Sequence, residues 1–198
     1  KLGGSTHGIS IKDATALTLR TSTTFSTAAT APSALTALST NTEFTTSAIT
    51  ATGITTLTES AANYHKVSYG AVTAADQLST VTMTSGTGSD FTSGGVSMSS
   101  GSVALMSAVT LTAGESSKAA FGTIDAGSTG TIDSVSITAG FNSGVSGTPV
   151  TGTVTAGTIT AASIVFNSGS YGDFTVGGGT LTSLTMSGRA TSAKLTVA

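Results

Sequence analysis

One short phrase recurs along this chain: an apolar residue, Thr or Ser, a second apolar residue, Thr or Ser, a small residue, then Gly. It reads Val81-Thr82-Met83-Thr84-Ser85-Gly86, then Val96-Ser97-Met98-Ser99-Ser100-Gly101, then Val109-Thr110-Leu111-Thr112-Ala113-Gly114 and Val135-Ser136-Ile137-Thr138-Ala139-Gly140. It returns, shortened, as Leu184-Thr185-Met186-Ser187-Gly188. Alternation of apolar and hydroxyl side chains is the pattern of a strand with one face in a core and the other in solvent. The closing Gly predicts a turn with positive φ. The first four copies start 15, 13 and 26 residues apart, and the long step leaves room for a worn copy at Phe121-Gly122-Thr123-Ile124-Asp125-Ala126-Gly127.

One strand and one turn cannot bury an apolar face, but stacked copies can. The expectation is an all-β chain, a β-solenoid of short strands with Gly turns. An antiparallel β-sandwich is the alternative, because short strands at regular spacing also describe that fold. The absence of Trp, with Tyr at only 64, 69 and 171, favours the solenoid. Val135 and Ile137 should point inward and Thr138 outward. The expected organisation is a single elongated β domain over residues 1–198, or else an irregular region 1–80 followed by a repetitive region 81–198. In the less regular first part, Pro32-Ser33-Ala34-Leu35-Thr36-Ala37-Leu38 reads as a short helix or a loop, with Pro32 in the first turn. Thr73-Ala74-Ala75-Asp76 has the form of a capping box opening a turn through Leu78.

Composition decides which functions such a chain can have. Thr, Ser, Ala and Gly number 42, 31, 27 and 25 among 198 residues, only 8% of residues are charged, and the net charge is −2. Disorder through charge and low hydrophobicity does not fit, nor does a mucin-like stalk, since Pro occurs only at 32 and 149. The seven basic residues form no patch, which argues against nucleic acid. The longest apolar runs are about four residues, too short for a transmembrane helix. Without Cys there are no disulfides or thiolate metal sites. The opening Lys1-Leu2-Gly3-Gly4 fits a mature protein after signal removal or a fragment. Weak charge repulsion between copies favours self-association.

Phrases such as residues 109–114 and 135–140 resemble those of bacterial surface-layer proteins and long repetitive adhesins, over roughly residues 80–198. The resemblance lies in composition and repeat rhythm. It implies a secreted, cell-surface β-solenoid, and in such proteins calcium is often held by Gly-Gly-x-Gly-x-Asp repeats. Here only Gly86-Thr87-Gly88-Ser89-Asp90 approaches that motif, without tandem copies.

Residues able to do chemistry are sparse. His65 could serve as a general base with Ser68 nearby, yet neighbouring strand residues point to opposite faces, and the only other His is His7. The nine acids, Asp13, Glu43, Glu59, Asp76, Asp90, Glu115, Asp125, Asp133 and Asp173, are scattered singly, and no spacing recommends a catalytic pair. Asp125 and Asp133 are expected on turns, bonding their own backbone or serving as calcium ligands. Gly177-Gly178-Gly179 reads as a structural turn, since no Lys follows as a phosphate loop requires. Ranks of hydroxyls are expected from Thr18, Thr82, Thr84, Thr110, Thr112, Thr153, Thr155 and Thr185. Ser replaces Thr freely in them.

The function these features point to is a non-enzymatic, extracellular structural protein. It would self-assemble into a surface layer, sheath or filament, with copies of itself as partners. The alternative is an adhesin or ice-binding module of a larger surface protein, with cell-surface glycans among its ligands. No catalytic or cofactor-binding residue is assigned.

Overall fold

The computed structural model describes residues 16–19, 34–39, 43–46, 48–51, 54–74, 78–98 and 104–198. Every strand pairing in it is parallel, and partners come from successive passes of the chain, which makes the fold a β-solenoid of about 6 turns. A sandwich would have needed antiparallel neighbours.

Early coils have three strands each. β1 (Ala16–Leu19) and β2 (Ala34–Ser39) belong to one ladder, and β3 (Glu43–Thr45) and β4 (Ile49–Ala51) to two others. The same order returns as β5 (Thr56–Ala61), β6 (Lys66–Tyr69) and β7 (Val72–Ala74), then as β8 (Thr80–Ser85), β9 (Asp90–Ser93) and β10 (Val96–Met98). Later strands lengthen: β11 (Leu105–Ala113), β12 (Lys118–Asp125), β13 (Thr131–Ala139), β14 (Val150–Phe166), β15 (Tyr171–Gly188) and β16 (Ser192–Val197). Ladder I runs β1-β2-β5-β8-β11-β13 and then through the second halves of β14 and β15. Ladder II is β3-β6-β9 and ladder III is β4-β7-β10. Both end on β12, which pairs with the first half of β14. The two ladders fuse there through a bulge at Phe121 and Gly122, with Gly122 at φ +68°.

The alternation read from the sequence becomes columns running through the stack. Leu57, Val81, Val109, Val135 and Ala162 lie over one another and are all buried, as are Met83, Leu111, Ile137 and Ile164 two residues further along. Thr138 faces outward, as expected. On ladder III the buried column is Ile49, Val72, Val96, Ile124, Val154 and Val176. The copy starting at Val96 therefore lies on a different ladder from those at Val81 and Val109. A step of about 13 residues is half a coil, and the 26-residue step from Val109 to Val135 is one full coil. The worn copy around Ile124 occupies the same column as Val96. Rings fill the middle of the core: Tyr69 to Phe91 at 5.7 Å, Phe91 to Phe121 at 5.5 Å, and Phe166 to Phe174 at 5.9 Å between centroids.

Three local expectations are corrected. Residues 34–39 form β2, neither helix nor loop: the Leu35 and Leu38 spacing suits one helical turn, but in-register pairing of Leu35 with Leu57 supplies a full ladder of backbone bonds instead. Pro32 lies outside the described residues. Thr73 is no helix cap, since it sits in β7 between Thr50 and Ser97, while Ala75 and Asp76 lie outside the described residues. Finally, positive φ falls on the closing Gly only in the worn and shortened copies, at Gly127 and Gly188; in the copies that close at Gly86, Gly114 and Gly140 it falls two residues later, on Gly88, Ser116 and Asn142. The closing Gly serves close approach: a Cβ on Gly140 would lie 2.5 Å from the Ala113 carbonyl oxygen of the coil beneath.

Candidate interaction surfaces

Among the described residues, the reactive side chains singled out by sequence lie apart from one another. His65 closes the turn before β6 and its Nδ1 lies 2.7 Å from the Asn63 carbonyl oxygen, while Ser68 takes its place in a column between Thr45 and Thr92. His7 and Asp13 lie outside the described residues. Asp125 bonds locally, accepting from Gly127 N–H at 2.9 Å and from the Thr155 hydroxyl at 3.1 Å. Asp133, expected on a turn, instead lies exposed within β13, where an outward bend of the strand replaces the expected break. The Gly86–Asp90 stretch does not fit calcium. Asp90 is flanked in register by Lys66 and Lys118, and no group of three His, Asp or Glu gathers anywhere among the described residues.

Two features escaped the sequence reading. The first is a stack of serine-closed turns. Ser89, Ser117, Ser143 and Ser170 are buried, and each donates its hydroxyl to the carbonyl three residues back, on Gly86, Gly114, Gly140 and Asn167, at 2.6–2.8 Å. The turns also bond to one another, Gly88 N–H to Glu115 O and Ser116 N–H to Phe141 O, both at 2.8 Å. The signal was present as a Ser three residues after the turn-opening residue.

The second is Glu59, only 2% exposed and standing in the apolar column beneath Met83. Burial pushes its carboxyl up to about 8, opposed by a hydrogen bond from Ser93. The Ser93 hydroxyl accepts from Gly95 N–H at 3.0 Å, so its single proton is free for Glu59. Glu59 Oε2 has no partner. Next to it, the Tyr69 hydroxyl donates to the Ser60 carbonyl at 2.7 Å; burial raises the phenol pKa, and the Glu59 charge adds to it. This pocket of polarity lies within the core, with Glu59 and Tyr69 both buried.

The outer surface of ladder I carries three columns. One is Thr56, Thr80, Ala108, Ser134, Ala161 and Ser183; the middle one is Thr58, Thr82, Thr110, Ser136, Ser163 and Thr185; the third is Ser60, Thr84, Thr112, Thr138, Val165 and Ser187. None of these positions is charged, and only Ala108, Ala161 and Val165 lack a hydroxyl. Parallel strands set neighbours in a column about 4.8 Å apart. No hydroxyl of the middle column bonds to another protein group among the described residues. Thr153 and Thr155 belong elsewhere, on ladder III, so the expected Thr ranks divide between two faces. Ladder I carries exposed Asp133 beside these columns, while Glu43, Lys66, Asp90 and Lys118 alternate along ladder II and Lys194 pairs with Asp173 at 3.1 Å.

At the last coil the inner columns come to the surface. Leu184 stacks on buried Ala162 and is 38% exposed; Met186 stacks on buried Ile164 and is 49% exposed; Val197 stacks on buried Val176 and is 54% exposed. Among the described strands, residues 180–188 have a partner on one side only, as does β16. A shallow recess beside this edge is lined by Phe166, Met186, Arg189, Ala190 and Thr191. The chain matches no protein-family model, no curated protein and no solved structure.

Proposed function

We propose that this chain is a secreted structural subunit, without enzymatic activity, that self-assembles into an extracellular filament, sheath or surface layer. The coil that has no strand above it among the described strands carries this reading. Its strand edge offers a row of unpaired backbone donors and acceptors, and Leu184, Met186 and Val197 sit in columns that are buried from β5 through β14. An open edge of this kind recruits another strand unless charge or Pro blocks it. Near it, among the described residues, stand Arg189 and the paired Lys194 and Asp173. Covering each large apolar side chain contributes about 1.5–3 kcal/mol when burial is complete. Contact between unlike faces of identical copies propagates as a fibre wherever the rotation between copies does not close a ring.

Negative-stain microscopy and light scattering at micromolar concentration test the proposal. The wild-type protein should form polymers, and Leu184→Lys/Met186→Lys should remain monomeric with an unchanged far-ultraviolet spectrum. A wild-type protein that stays monodisperse across salt and calcium concentrations would remove it.

The hydroxyl face of ladder I supports a second reading, an adhesin or ice-binding module. An uncharged array whose middle column of hydroxyls has no protein partner among the described residues suits a ligand that is itself periodic, whether ordered water or a glycan. Ice-recrystallisation and glycan-array assays discriminate this reading, with Thr110→Asp expected to abolish whichever activity is found.

A further inference from the structure

We infer that the loop of residues 145–149 is a carbohydrate-binding element, which holds a neutral oligosaccharide in the two recesses that it walls. Such a site requires neither self-assembly nor the hydroxyl face of ladder I. The loop is an addition to the coil. Ser117 and Ala120 are three residues apart, as are Ser170 and Asp173. In the coil between them the matching positions are Ser143 and Thr151, which are eight residues apart. Gly144 still continues the stack, with its N–H on the Ser117 carbonyl at 2.8 Å, and Val150 resumes it in register with Gly172. The five residues between them are pushed out of the wall. Their shape is fixed: Val145 and Thr148 exchange two backbone bonds at 3.0 Å, with Gly147 at φ +85° in the tip. In stacked-coil proteins, insertions into single repeats map to loops on one face, often the binding face.

A recess lies on each side of this ridge. One, of about 450 Å³, is lined by Asp90, Thr92, Lys118, Pro149 and Thr151. The other, of about 350 Å³, is lined by Val145, Pro149, Tyr171, Asp173 and Lys194. Both are of the size that small-molecule sites have. Each holds one carboxylate and one ammonium: Asp90 and Lys118 are neighbours in register, and Lys194 Nζ lies 3.1 Å from Asp173 Oδ2. The opposite charges offset one another, so neither recess concentrates an anion or a cation. What remains is a dense set of hydrogen-bond acceptors and donors beside the apolar surface of Pro149, Tyr171 and Val145, the last 46% exposed. A neutral sugar is the complement of such a wall. Its vicinal hydroxyls suit the carboxylate and the ammonium, and its C–H face suits an aromatic ring. The two charge pairs stand three coils apart, about 14 Å at the spacing of parallel strands. One sugar ring does not span that distance, so the ligand that fills both recesses is an oligosaccharide.

Titration calorimetry with neutral hexasaccharides of glucose, galactose and mannose tests the site, with oligogalacturonate as the anionic comparison. Deleting residues 145–149 joins Gly144 directly to Val150, the connection that Lys118-Ala119 and Tyr171-Gly172 make in the coils on either side. The shortened chain should keep the wild-type far-ultraviolet spectrum and melting temperature while its affinity for the bound hexasaccharide falls at least tenfold. Asp173→Ala/Lys194→Ala removes an exposed ion pair at little cost to the fold and should weaken binding by a similar factor, so the site stays testable if the deletion fails to fold. Unchanged affinity in the folded variants, or a loss caused by Thr110→Asp instead, would overturn the placement on this loop. Binding of oligogalacturonate alone would overturn the ligand class, and binding of none of these sugars at millimolar concentration would overturn both.

Discussion

Met83 lies directly above Glu59 in the buried column of ladder I, a thioether stacked on a carboxyl. The other positions of that column from Met83 to Ile164 are Leu111 and Ile137, so Glu59 is the one ionisable group set among core side chains there. The protein tolerates it by keeping it protonated.

That protonation makes stability depend on pH. Below an unfolded pKa of 4.5 both states hold the proton. Between 4.5 and about 8 only the folded state holds it, so stability falls as pH rises through this window. Above about 8 the loss is complete. Thermal melts from pH 4 to 9 should show this decline, and Glu59→Gln should flatten it. Glu59→Met, which gives the position the chemistry of Met83, should melt above wild type at pH 8. Equal wild-type melting temperatures at pH 5 and pH 8 would contradict the assignment.

The register of the core makes a sharper contrast between neighbours. Ile137 is fully buried, and Ile137→Asp sets an unpaired charge among Leu111, Ile164 and Val135, costing about 4 kcal/mol or more. Thr138 lies one residue on, facing outward between Thr112 and Val165, and Thr138→Asp should change stability by about 0.5 kcal/mol or less. Urea midpoints measure both. The reverse order of effects would mean that the strand faces the other way.

The alternation at Val135 and Ile137 was legible because each side chain's face follows from backbone geometry alone. Which ladder a copy joins was not, because Val96 and Val109 carry the same phrase on different sides of the coil. Local pattern cannot distinguish half a turn from a whole one. Residues 34–39 failed for a related reason: their Leu spacing suits either helix or strand, and the pairing with β5 decides. Glu59 was readable in principle, since Leu57-Thr58-Glu59-Ser60-Ala61 places it on the Leu57 side. Among nine scattered acids, nothing drew attention to it. The uncovered edge at Leu184 and Met186 has no local signature, because the same phrase is buried wherever another coil lies above it.

The serine-closed turns should each contribute measurably. Ser143→Ala removes the 2.8 Å bond to Gly140 O and leaves that carbonyl only the longer 3.2 Å bond from Ser143 N–H. The expected loss is about 1 kcal/mol, read as a lower urea midpoint. A Ser143→Thr variant that keeps the hydroxyl bond but adds a methyl in a fully buried site separates bond from packing. If both variants match wild type, the turn is held by its stacked backbone bonds alone.

Proteolysis tests how assembly protects the chain. No Lys or Arg occurs between Lys118 and Arg189, so trypsin resistance there proves nothing about order. A broad-specificity protease does not need those residues, but it must draw an extended segment into its cleft, which a strand bonded on both sides cannot supply. In the unassembled Leu184→Lys/Met186→Lys variant, residues 180–188 and β16 have one free edge and should be cut first, leaving a core that ends near Gly179. The assembled wild type should retain these strands, because the added copy occupies that edge. Mass spectrometry of timed digests reads the difference directly. Equal cleavage within residues 180–198 in assembled and unassembled protein would show that the last coil is not the surface on which copies meet.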